Sequence, residues 1–169
     1  MISMERGTDV PQELDWETGD GLIGIRDPAE VDAAFDRGER YVGTAVVGLV
    51  LNSDDVAVVA PRVLRALRSS DATVRSLGFV ATGDMARLLG TLTPEIYAEL
   101  RTEGLGGVAD TAIKDAMTFV PFWELPWWLR GMCLRLRLRN RIEGRLLALE
   151  DLAERATDAV KAVFGKKNL

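Results

Sequence analysis

Residues 54–90 read DDVAVVAPRVLRALRSSDATVRSLGFVATGDMARLLG, and their punctuation decides the fold. Ser53, Asp54 and Asp55 form a capping cluster, because short oxygen-bearing side chains accept from the unpaired N–H groups of a first helical turn. Val56, Val59, Ala60, Val63, Leu64 and Leu67 then recur at the spacing of one helical face, up to about Ser69. Pro61 falls inside this helix, where it is expected to kink it or mark a restart. Ser70 and Asp71 cap a second helix, in which Val74, Leu77, Gly78, Ala81, Met85 and Leu88 keep an apolar stripe until Gly90. Two amphipathic helices and a tight turn make a hairpin, and the expected class is all-α.

Upstream, Asp27-Pro28 is a cap followed by a proline whose missing N–H costs nothing at the first helical position, and Gly38 is the matching stop. A second helix is expected from about Glu39 to Leu51, apolar nearly all round and therefore buried, with a buried strand as the competing reading. Downstream, Thr93-Pro94-Glu95 opens a helix that runs to the glycines at 104, 106 and 107, and a further helix is expected over about Val108–Phe119. From Pro126 to Phe164 we expect one long or broken helix, although Leu134–Arg139 alternates Leu and Arg with strand periodicity. Residues 1–26 hold glycines and scattered acids without a period. They read as an irregular acidic arm, partly ordered by Leu14, Trp16, Leu22, Ile23 and Ile25, ahead of a single helical domain at 27–169.

The segment Leu67-Arg68-Ser69-Ser70-Asp71-Ala72-Thr73-Val74-Arg75, followed by Ala81, Leu88 and Leu89, resembles a HEAT repeat of the short kind. The resemblance implies stacked helical hairpins, as a short right-handed α-solenoid or a compact bundle. It implies structural roles for Asp71, capping the second helix, for Arg75, bonding a neighbouring repeat, and for Pro61 in the first helix. It also implies a surface whose usual use is to hold another macromolecule.

Composition excludes several chemistries. The chain of 169 residues has no histidine, which removes histidine catalysis and histidine metal ligation, and its one cysteine, Cys133, cannot form an internal disulfide. Beside leucines and with no histidine base, Cys133 reads as a buried thiol. The longest nearly apolar run, 41–51, is too short for a membrane-spanning helix, and no secretory leader is visible, so a cytoplasmic protein is expected. Gly19-Asp20-Gly21-Leu22-Ile23-Gly24 fits the letters of a dinucleotide fingerprint, but without a preceding strand and with Asp20 opposing a phosphate it reads as a turn. Asp84 lies near its helix's apolar stripe, where an ion pair with a nearby arginine is the expected explanation. No catalytic, cofactor or metal residue is assigned.

Charge is unevenly spread. Residues 1–60 carry 13 acids and 4 bases, and residues 126–169 carry 5 acids and 10 bases. With the repeat resemblance, this points to a non-enzymatic protein-binding module, of the immunity or antitoxin type that inhibits a co-encoded bacterial toxin. Candidate contact residues are Glu13, Asp15, Trp16, Glu17 and Asp20 in the arm, which offer phosphate mimicry to a basic partner. The basic candidates are Arg62, Arg65, Arg130, Arg137 and Arg141. The rival reading is a nucleic-acid-binding, DNA-glycosylase-like HEAT module using the Trp and Arg segment; the acidic balance opposes it. Trp123, Trp127 and Trp128 are expected to fill a junction before the terminal helix.

Overall fold

The structure, a computed structural model, describes residues 14–135. Glu13, Arg137, Arg141, most of the Leu-Arg alternation and the later part of the helix expected over 126–164 lie outside the described residues. Six α-helices are found up to Phe119: α1 Pro28–Arg37, α2 Val42–Leu51, α3 Val56–Leu67, α4 Ala72–Leu89, α5 Pro94–Glu103 and α6 Asp110–Phe119. There is no strand among the described residues, so the class is all-α, and Tyr41–Leu51 belongs to a helix and its cap rather than to a strand.

Each boundary has a local cause. Asp27 Oδ1 accepts from Ala29 N at 2.9 Å, and Gly38 closes α1 in the left-handed region at φ 71°. Asp55 Oδ1 accepts from Ala57 N at 2.8 Å to start α3, and Asp71 Oδ1 takes both Thr73 N and Val74 N to start α4. The expected capping role of Asp71 is therefore met. Thr93 and Pro94 open α5, and Gly90 and Gly104 end α4 and α5 with positive φ. Helix α3 continues through Pro61; the carbonyl of Ala57 loses its helical donor there, and Ala57 is exposed, so water can supply one. The starts of α2 and α6 fall later than expected, at Val42 and Asp110, and neither preceding residue, Tyr41 or Ala109, offers a capping side chain.

Helix α4 is the centre of the packing. It lies along α2 and α6 and against α3, while α3 also touches α1 and α5. Six successive α4 residues, Ala81 to Ala86, are buried, which at 3.6 residues per turn encloses every side of the helix. Close approaches are set by glycines: a Cβ at Gly78 would lie 2.9 Å from Leu67 N, and one at Gly43 2.9 Å from Leu77 Cδ1. Helix α2 is buried at eight of its ten positions, as an all-apolar helix requires.

The directions of the helices follow from paired residues. Asp32 and Asp36 on α1 meet Arg62 and Arg65 on α3 in the same order, so α1 and α3 run parallel. On α4 and α6, Gly83 lies beside Ala112 and Asp115, and Gly90 beside Phe119, so these two are parallel as well.

Part of the arm belongs to this packing. Asp15 Oδ1 accepts from Glu17 N and Thr18 N, and a single 3-10 turn, Leu22–Gly24, follows. Leu22 and Ile25 are buried, and Asn52 Nδ2 donates to both Ile23 O and Gly48 O at 2.7 Å. Residues 14–26 are thus fastened to α2, as the apolar side chains there led us to expect.

The chain divides into two compact units between Leu125 and Pro126. In the second, residues 127–135 are helical, including Leu134 and Arg135 from the Leu-Arg alternation, and Cys133 is buried as expected.

Candidate binding surfaces

Arg62 and Arg65 on α3, with Arg68 at its C-cap, organise the layer made by α1, α3 and α5. Arg62 donates through Nε to Asp32 Oδ1 at 3.0 Å, through Nη2 to Asp32 Oδ2, and through Nη1 to Val58 O at 2.8 Å. Arg65 Nη2 donates to Asp36 Oδ1 at 2.7 Å, and its guanidinium stacks 4.6 Å from the centre of the Phe35 ring. Arg68 Nε donates to Glu99 Oε1 at 2.6 Å. Arg62, Arg65 and Arg68 are therefore matched, one by one, to carboxylates on both flanking helices. This balances charge that a phosphate would otherwise meet, and it stitches consecutive hairpins together. Arg75 is exposed and makes no ion pair or side-chain hydrogen bond among the described residues.

Two open hollows run along this layer. One, of about 540 Å³, lies between Phe35 and the end of α3; the other, of about 660 Å³, lies between the first turns of α3 and α5. Both share Pro61 and Leu64, so the two connect across the outer face of α3.

In the arm, Asp15 and Trp16 serve the fold. The Thr18 hydroxyl and then the N–H groups of Glu17 and Thr18 hold the Asp15 carboxyl below the usual range. The Arg37 guanidinium sits 5.7 Å from the centre of the Trp16 ring. Glu17 and Asp20 are exposed at the same turn. Gly19 and Gly21 have φ of 87° and 75°, and a Cβ at Gly19 would sit 3.1 Å from the Tyr41 ring, which accounts for the glycines of the fingerprint-like run as a turn against α2.

The opposite face has a smaller cleft, about 190 Å³, between α4 and α6. Asp84, expected to pair with an arginine, does so with Arg87 one turn on, with its own side chain 9% exposed. Asp115 on α6 lines the same cleft, together with Val80 and Val108. Read along the chain, Asp115 is an ordinary solvated acid, and its spacing with Phe119 on one side of α6 is the one trace of this surface in the sequence.

Of the three tryptophans expected at a junction, Trp128 is half-buried and the other two are exposed. Trp123 and Trp127 are each 73% exposed, while Arg130 is half-buried on the helical stretch of the second unit. Among the described residues no group of three or more His, Cys, Asp or Glu is placed to hold a metal ion, and no helix is long and apolar enough to cross a membrane.

Tyr97 is buried, and among the described residues its hydroxyl has no hydrogen-bond partner. Burial first, and the Glu124 carboxylate second, push it up to about 12. An unpaired buried hydroxyl costs about 1–3 kcal/mol, so Tyr97→Phe is expected to leave stability unchanged or raise it by about 1 kcal/mol in denaturant melts. The stability held by the neutral phenol is complete below pH 10 and lost as pH rises through 12. Tyr97→Phe should therefore move the alkaline unfolding midpoint upward.

Comparison with models of protein families, with curated proteins and with solved structures gave no match.

Proposed function

We propose that this chain is a non-enzymatic protein-binding module, a short stack of HEAT-like hairpins, and that it acts in the cytoplasm as an immunity-type inhibitor of a co-encoded bacterial toxin. One observation carries the binding reading. Along α4 and α6 the large apolar side chains Val80, Leu88 and Phe119 stand 50%, 55% and 46% exposed on an open face, an arrangement that gains free energy when another protein covers it. The parallel α1–α3 and α4–α6 pairs support the repeat reading, since hairpins related by translation keep equivalent helices parallel. The excess of acids over bases in residues 1–60 supports a basic target, with Glu17 and Asp20 presented on a turn whose shape the Asp15 hydrogen bonds fix.

The test is a growth assay. The product of the gene beside this chain is expressed alone and together with it in a neutral host. Growth arrest by the neighbour, relieved by this chain and not by a Val80→Asp, Leu88→Asp double variant, is the expected result. Failure to relieve arrest, or relief that the double variant leaves intact, contradicts the reading.

A further inference from the structure

We propose that the α4–α6 groove receives a lysine or arginine side chain from an apolar segment of the partner protein, with Asp115 as the residue that pairs with it. The inference rests on the protein-binding reading above and adds the chemistry of what is bound.

The groove is built in three zones. Val80 and Val108 stand at one end; Asp84, Arg87 and Asp115 occupy the middle. Because α4 and α6 run parallel, Leu88 and Phe119, each one helical turn beyond Asp84 and Asp115, continue the groove at the other end. Apolar surface thus brackets a charged centre.

That centre is not balanced. Asp84 and Arg87 neutralise each other as an ion pair. Asp115 is half-buried and makes neither an ion pair nor a hydrogen bond among the described residues. Its position is fixed by the neighbouring helix: a Cβ at Gly83 would fall 2.7 Å from Asp115 Oδ2, so the carboxylate leans over bare α4 backbone where a side chain would displace it.

A partner that covers Val80, Leu88 and Phe119 must also take the Asp115 carboxylate out of water. Doing so without a counter-charge is costly, and a carboxylate left unpaired would oppose the gain from the apolar rim. A lysine or arginine removes that cost, and its methylene stem suits the apolar walls. The cleft volume of about 190 Å³ is the room of about six waters, which fits one long side chain. A neutral or acidic segment of the same shape would be rejected at this point, so Asp115 supplies selectivity as well as attachment.

The probe is a phage-displayed random peptide library panned against the full chain, with the isosteric variant Asp115→Asn, the rim variant Val80→Ser, and Asp54→Asn, exposed ahead of α3, as a control. All three positions lie at the surface or half-buried, and thermal unfolding is recorded for each. Enrichment of peptides with Lys or Arg between apolar residues is expected. Asp115→Asn should weaken their binding about tenfold or more, Val80→Ser should weaken it, and Asp54→Asn should leave it unchanged. Enriched peptides without a basic residue, binding indifferent to Asp115→Asn, or no peptide that depends on Asp115 would each overturn the proposal. So would self-association abolished by Val80→Ser, which would give the groove to a second copy. Peptides or proteins held elsewhere on the chain would leave the binding reading standing while this assignment fell.

Discussion

Gly48→Ala is expected to destabilise the protein by about 3 kcal/mol or more and to release the arm from α2. In a helix interior the same change normally stabilises by about 0.5–1 kcal/mol, so the sign itself is diagnostic. At Gly48 a Cβ would lie 2.2 Å from the carbonyl oxygen of Leu22 and 2.9 Å from the Ile23 backbone. Neither atom is the end of a flexible side chain. The arm has to lift, uncovering Leu22 and Ile25 and separating Asn52 from Ile23 O. Thermal unfolding should fall by roughly 10 °C, and tryptic cleavage after the exposed Arg26 should speed up. An unchanged melting temperature together with unchanged cleavage would mean that the arm does not seat on α2 as described.

Met85→Ala should cost about 2–5 kcal/mol in denaturant melts. Met85 is fully buried in the stretch of α4 that is enclosed on every side, where three neighbouring helices leave little freedom to collapse into a cavity. Leu88→Ala, three residues further along the same helix at a position 55% exposed, should change stability by no more than about 0.5 kcal/mol. Equal losses at the two positions would contradict the placement of α4 at the centre of the packing.

What the sequence disclosed, and what it hid, divides along physical lines. Helices with their own punctuation were legible: Asp27-Pro28 to Gly38, Asp71 to Gly90, and Thr93-Pro94 to Gly104 carry caps and stops whose effect is local. The two misplaced starts, at α2 and α6, are those with no capping side chain, where the turn before the helix sets the boundary. Asp84 was legible because its one partner is three residues away. Arg62, Arg65 and Arg68 were not, because their carboxylates lie about thirty residues off, on helices whose neighbours only the fold decides. For the same reason Asp115 reads in the sequence as one solvated acid among many: its character comes from a glycine on another helix. Trp123 and Trp127 show the limit of residue type as a guide, since large aromatic side chains are as much at home on a contact surface as in an interior.

The central claim is that this chain works by holding another protein. The most direct test is purification of the tagged full chain from its native host at moderate salt, with mass spectrometry and an ultraviolet absorbance ratio on the eluate. One protein in stoichiometric amount is expected, retained as salt is raised, with no nucleic-acid absorbance. Nucleic acid recovered without a protein, and lost steeply with salt, would contradict it.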